Sequence, residues 1–354
     1  MLKPLTSLRF VFAYMVFSGH LGGLFLSYNE GFLTDTFASY LSMSEGYLGV
    51  SFFFILSGFI LSYKYKEAFL EKSIKFKDFI LARVFRIYPL HLFTFGIAFF
   101  LSYYGRLGDL TFWLKSLSNT LLVQSFIPVK EYFFSFNGVS WSISNEMFFY
   151  TLFPVLLLTV AVLRKYIVFI LLLPVVIIAI QPTTDTHHWV YYINPFFRVF
   201  DFILGILLYD FYLRYKENAW VKHNATLLES FAIVFFLACY FFRSGISQDF
   251  RWSIYYWIPM TFLIFIFSIQ RGYISHILSK RVLIWLGEIS FAFYMIHQLV
   301  IQVLWIINYK FRLFENGYVL IAIALIISIL GSGLLYRYFE KPLNIYLRKK
   351  YIHK

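Results

Sequence analysis

Runs of about 17–24 predominantly apolar residues recur from one end of this chain to the other, and no other feature constrains its fold as tightly. Each is long enough to cross the roughly 30 Å hydrocarbon core of a bilayer as a helix. Inside that core only helices and closed barrels satisfy their own backbone polar groups. Hydrophobic residues fill 60% of the 354 positions and charged residues 14%, where a soluble domain carries about a quarter charged residues. With 46 Phe and 28 Tyr, a single soluble core could not hide the apolar surface. The expected fold class is an all-α polytopic membrane protein. Residues 1–354 are read as one membrane-embedded domain with no appended soluble domain, and the lipid bilayer is its first partner.

Spanning helices are predicted at roughly 5–28, 46–63, 86–104, 141–163, 166–180, 196–213, 225–242, 253–269, 285–308 and 318–339, about ten in all. The stretch 110–126 is apolar but interrupted by Lys115, Ser116, Ser118, Asn119 and Gln124, which predicts an interfacial or re-entrant helix. With both termini in the cytoplasm, inside segments hold 21 of the 31 Lys and Arg and outside segments 7; Arg9, Arg198 and Arg337 lie within spans. The segment 64–86 alone carries seven, and five follow Glu340. That bias follows the positive-inside rule, and it accounts for the net charge of +13 without a nucleic-acid partner. The single cysteine, Cys239, lies in an apolar run, so no disulfide framework is expected. The first apolar run contains Arg9 and His20 and has no convincing cleavage site, so it is read as a retained span.

Charged groups inside spans are costly, about 2.5–3.5 kcal/mol each on insertion scales, and so each asks for a reason. Arg9 and His20 are eleven residues apart, which on a helix places them on one face, roughly 16 Å apart along the axis. The fourth span opens Gly138-Val-Ser-Trp-Ser-Ile-Ser-Asn-Glu146, with Ser142 and Glu146 four residues apart on one face. Glu146 is expected at about the depth of His20, where a carboxylate could fix an imidazole's tautomer and raise its basicity. A capping serine and a dipole-stabilised Glu would be the structural alternative. Arg83 and Arg86 are read as opening the third span, with Tyr88 and Pro89 following. Arg suits bidentate phosphate contact, although two boundary arginines alone mark topology. Ser290, Tyr294 and His297 form a polar stripe on the ninth span that faces helices or a cavity. Arg198 and Asp201 can neutralise each other as a structural pair. His187 and His188, beside Asp185, lack a metal-ligand spacing, so no metal is expected.

Together these pieces resemble the acyltransferase 3 family. The matching elements are Ser7-Leu-Arg9 with ten residues before His20, Gly46-Tyr-Leu-Gly through Leu56-Ser-Gly-Phe59, and Arg83-x-x-Arg-Ile-Tyr-Pro89. They continue with Trp141-Ser-x-Ser-x-Glu146, Leu286-Gly-x-x-Ser290 with Tyr294 and His297, and Phe339-Glu-Lys-Pro342. They follow the family's order over nearly the whole chain; Asp201 stands where Glu would be more usual. The resemblance implies an enzyme of the bacterial inner membrane that takes an acyl group, often acetyl, from cytoplasmic acyl-CoA. It would deliver that group to a hydroxyl of an extracytoplasmic glycan or lipid-linked saccharide. By the same resemblance His20 is the catalytic histidine and Ser142 and Glu146 support catalysis. Arg9, Arg83, Arg86 and Tyr88 would bind acyl-CoA, with Ser290, Tyr294 and His297 lining the cavity. The competing reading is a multi-span transporter or flippase for a glycan or small molecule, since buried charges also mark substrate pathways. An assembly factor for glycan export is a third.

Overall fold

The computed structural model describes residues 2–21, 45–103, 108–180, 186–314 and 316–352, and all regular structure among them is helical. Its principal helices are α1 (Lys3–Gly19), α2 (Leu48–Leu70), α3 (Phe76–Ser102), α4 (Leu110–Thr120), α5 (Trp141–Val162) and α6 (Ile167–Ile180). They continue with α7 (Pro195–Tyr215), α8 (Ala225–Phe241), α9 (Trp257–Ile269), α10 (Arg281–Phe311), α11 (Gly317–Leu335) and α12 (Lys341–Tyr351). Among the described residues, five stretches are long and apolar enough to cross a membrane: Leu48–Leu70, Phe76–Ser102, Gly138–Val162, Arg281–Phe311 and Gly317–Tyr351. Every segment predicted as a span coincides with a helix over most of its length; the parts at 22–28 and 104 lie outside the described residues, as do Arg106 and Asp185.

Two boundaries differ from expectation in ways that matter. α1 ends at Gly19, with His20 as its C-cap, where the backbone N–H of His20 donates to the Phe17 carbonyl. Gly19, Gly22 and Gly23 cluster here in the sequence, and glycine is about 1 kcal/mol poorer than alanine in a helix. α3 begins at Phe76, so Arg83 and Arg86 sit two turns inside it and Pro89 is internal rather than near its start. The basic segment 64–86, between the predicted second and third spans, is mostly helical: α2 and α3 extend through it and are joined across residues 71–75. Long Lys stems keep their charged ends in water while a helix runs on beneath them.

Glycines set the packing around α2. A Cβ on Gly46 would stand 2.6 Å from the Met15 carbonyl oxygen, and one on Gly49 would stand 2.4 Å from that of Phe12. On the opposite side, Gly58 and Gly205 let α2 and α7 meet backbone to backbone, 2.1 Å from Phe202 O and 2.0 Å from Ile55 O respectively. α10 approaches α1 in the same manner at Gly287, where a Cβ would lie 1.9 Å from Thr6 O. Small residues at helix crossings permit such approaches, and dispersion drives association where lipid offers no hydrophobic contrast.

Polar clusters fasten the remaining elements. Arg198 and Asp201 are fully buried and joined at 2.8 Å. Arg198 also donates to Ser51 Oγ and the Trp252 carbonyl, while Asp201 accepts from Ser253 and Trp257. The pair therefore ties α7 to α2 and to the start of α9, the structural role its spacing suggests. α4 is short and turned polar side in: Ser116, Ser118 and Asn119 are buried, whereas Leu110, Trp113, Leu114 and Leu117 are exposed. Its backbone meets α3 through His91 Nε2 to Asn119 O, 2.9 Å.

Candidate active site

A cavity of about 750 Å³ opens among α1, α2, α3, α5, α10 and α12. Such a volume lies within the usual range for a ligand site. It is rich in cations: Lys64, Arg83, Arg86, Lys341 and Arg348 line it, together with Arg9 from α1. Ser142, Glu146, Tyr150, Glu288, Ser290 and Tyr294 line the same cavity, with the Arg83 guanidinium 6.0 Å from the centre of the Tyr150 ring. The helices that carry these groups owe their convergence to the glycine contacts above, because α1 serves as common wall to α2 and α10.

Within the cationic region the arginines have distinct partners. Arg86 forms an ion pair with Glu340, a carboxylate only 2% exposed at the α11–α12 junction. That contact, with the Phe339 ring tilted against that of Phe93 at 5.2 Å, gives the Phe339-Glu-Lys-Pro342 motif its local role: it anchors α12 over the cavity. Arg83 donates to Tyr65 Oη at 3.0 Å and lies over that ring. Its Nε is buried with no hydrogen-bond partner among the described residues. Glu146 accepts from Tyr150 Oη at 2.9 Å, and Arg9, Arg86 and Arg83 are near enough to act on it electrostatically. Tyr150 in turn accepts from Ser57 at 3.2 Å.

Ser142 does not cap α5. Its hydroxyl bonds Val139 O at 3.0 Å and Tyr294 Oη at 2.7 Å. Ser290 donates back to Gly287 O while lining the cavity. Beyond Tyr294 the α10 stripe continues to His297, fully buried, whose Nε2 is 3.1 Å from His20 Nδ1. His20, half-buried at the end of α1, also places Nδ1 2.9 Å from Val16 O. His20 and His297 do not line the cavity, but Tyr294 does, and its ring is 5.9 Å from that of His297.

Nine of the ten sequence-selected site residues thus fall into two adjoining groups. The cavity gathers Arg9, Arg83, Arg86, Ser142, Glu146, Ser290 and Tyr294, and His20 pairs with His297. Tyr88 falls in neither group; its hydroxyl donates to Leu121 O on the segment after α4. The imidazole partner of His20 is His297, whereas Glu146 faces Tyr150 and the arginines. Sequence reasoning did not select Lys64, Glu288, Tyr150 or the α12 residues. For Lys341 and Arg348 the seven-residue spacing on an amphipathic tail was the available signal. Elsewhere, His187 bonds Asp249 at 2.8 Å, and His188 lies among the rings of Phe134, Tyr192 and Trp252.

The profile of the acyltransferase 3 family, described as an acyltransferase domain, matches residues 5–337. The chain belongs to this family. It is 28% identical to "Acyltransferase MdmB" of Streptomyces mycarofaciens, over 96% of this chain and 91% of that protein. It is 25% identical to a protein named "Putative O-acetyltransferase" from Staphylococcus aureus (strain COL), over 85% of this chain and 53% of the other. It is also similar to the "Putative peptidoglycan O-acetyltransferase YrhL" of Bacillus subtilis (strain 168), 24% identical over 87% and 53%. The chain thus spans about half the length of the staphylococcal and bacillar relatives. No solved structure matches it. As a member of this family with apolar helices of spanning length, the protein is a membrane acyltransferase.

Proposed function

We propose that this acyltransferase is an O-acyltransferase, most simply an O-acetyltransferase. It would take the acyl group from cytoplasmic acyl-CoA and place it on a hydroxyl of an extracytoplasmic glycan or lipid-linked saccharide. The protein is proposed to span the bacterial inner membrane ten times with both termini inside. The observation that carries the reading is the make-up of the site: a cavity rich in cations under α12, and an imidazole pair that adjoins its lining through the contact of Tyr294 with His297. Phosphates of a coenzyme A moiety match the donor set of Lys64, Arg83, Arg86, Lys341 and Arg348, since guanidinium groups bind phosphate bidentately. The pantetheine arm would then run past Arg9 and Glu146 toward Tyr294.

In the direct route, His20 Nε2 takes the proton of the acceptor hydroxyl as its oxygen attacks the thioester carbonyl. The C–S bond breaks, and the departing thiolate recovers that proton from the imidazolium, leaving ester and CoA thiol. General-base assistance of this kind contributes roughly 10²–10⁴-fold. A transient acyl-histidine is the alternative, and an acylated His20 trapped by rapid quench would identify it.

The test is chemical analysis of surface glycan from three strains: null, wild-type complemented, and His20→Ala complemented at equal membrane abundance. Esters restored by the wild type and absent with His20→Ala are the expected result. Full restoration by His20→Ala would remove His20 from the mechanism. Loss of the whole glycan in the null, with esters persisting on what remains, would favour a transporter.

A further inference from the structure

The His20–His297 contact fixes more than proximity. A carbonyl oxygen only accepts, so the 2.9 Å contact of His20 Nδ1 with Val16 O requires a proton on that nitrogen. The 3.2 Å contact of His297 Nδ1 with Phe293 O requires the same of His297. With its Nδ1 protonated, neutral His297 carries a bare Nε2, and that is the atom 3.1 Å from His20 Nδ1. The His20 Nδ1–H is therefore shared between the Val16 carbonyl and the His297 lone pair, and the lone pair of His20 resides on Nε2. His297 is fully buried and its ring is held by Phe17 and Phe293 at 6.1 and 5.9 Å.

From this geometry we infer that His297 is the positioning residue for His20: a neutral acceptor that fixes the imidazole through Nδ1–H and leaves Nε2 unprotonated. This deepens the acyltransferase reading and rests on it for its consequence in catalysis. It moves the orienting role from Glu146, which is engaged with Tyr150 and the arginines, to a residue without charge. A neutral partner suits the site. When His20 accepts the proton of the acceptor hydroxyl, the new imidazolium donates from Nδ1 to a lone pair already in place, and no second ion need be desolvated.

The experiment uses the full chain in lipid nanodiscs and two readouts that need no substrate. Histidine-selective ¹⁵N NMR, with His20 assigned by its loss in His20→Asn, is expected to show the Nδ1–H tautomer in the wild type. An Nε2–H tautomer would overturn the inference whatever any variant does. The second readout is the rate of His20 modification by diethyl pyrocarbonate, followed by mass spectrometry. His297→Gln, whose side-chain oxygen can replace Nε2 as acceptor, should stay within about twofold of wild type, while His297→Phe and His297→Leu should fall about tenfold. Wild-type rates in either apolar variant that elutes as the folded protein would refute the positioning role. If both readouts behave as expected but His297→Phe still esterifies glycan normally, the positioning stands and the catalytic assignment of His20 fails.

Discussion

Arg83 and Arg86 are one helical turn apart and line the same cavity, yet they have different tasks. Arg86 neutralises Glu340, so removing it strands a carboxylate that is 2% exposed. An unpaired buried charge costs about 3–5 kcal/mol at full burial, and less here because Arg86 itself is 32% exposed. Arg83 has no carboxylate partner among the described residues: it meets the Tyr65 hydroxyl and the faces of the Tyr65 and Tyr150 rings, its Nε is unsatisfied there, and it can serve a ligand. Arg83→Gln is therefore expected to raise KM for acetyl-CoA about tenfold, the worth of one charge-assisted contact, with little change in melting temperature. Arg86→Gln should lower the melting temperature as well as affinity, because it releases α12. Steady-state kinetics beside thermal unfolding in detergent separates the two; equal melting losses in both variants would contradict the division. The sequence showed two phosphate-type arginines but could not distribute these roles. Glu340 is 254 positions away from Arg86, and a pairing at that range leaves no local pattern. Glu229 was hidden for a similar reason: it accepts from the backbone of Gly272, Ile274 and Ser275 and from the Ser275 hydroxyl, a cap supplied from another helix.

Among elements, α1 is the wall shared by the cavity and the histidine pair, and its spacing from α10 is set at Gly287. Any Cβ there meets the Thr6 backbone carbonyl at 1.9 Å, and backbone cannot swing aside as a flexible side chain would. Overpacking a tight contact typically costs about 1–3 kcal/mol, and here the relief available is separation of α1 from α10. Gly287→Ala is expected to lower glycan esterification about tenfold or more at equal folded abundance, since misplacing reacting groups by about 1 Å can cost 10²-fold. Normal esterification by this variant would mean that the α1–α10 spacing does not govern the site. The sequence displayed this glycine within Leu286-Gly-x-x-Ser290 without revealing what it touches. Helix positions were legible because apolar runs report burial in lipid or protein directly. Ends were less so: α3 carries its helix through Lys77, Asp78 and Arg83, charged residues that a helix projecting from the membrane tolerates.

At the scale of the molecule, the remaining question is how the helices are threaded through the bilayer, and α4 decides it. If α4 lies in the interface, the segment between α5 and α6 is cytoplasmic and the basic residues obey the positive-inside rule. A crossing by α4 would invert every helix after it and put Arg164 and Lys165 outside. At 11 residues α4 is about 16 Å long, half of what a span requires. Its buried Ser116, Ser118 and Asn119 face the bundle while its leucines face outward, as an interfacial helix should. The topology can be tested in a Cys239→Ser background with single cysteines at Lys72→Cys, Lys165→Cys and Ser247→Cys, labelled by a membrane-impermeant maleimide. In intact cells with a permeable outer barrier, Ser247→Cys should label while Lys72→Cys and Lys165→Cys react only after lysis. Labelling of Lys165→Cys in intact cells, with Lys72→Cys still protected, would mean a further crossing between α3 and α6. The glycan-facing and coenzyme-facing ends assigned to α10 would then exchange sides, and Lys64 and Arg348 could no longer share a cytoplasmic mouth with α10 in its present orientation.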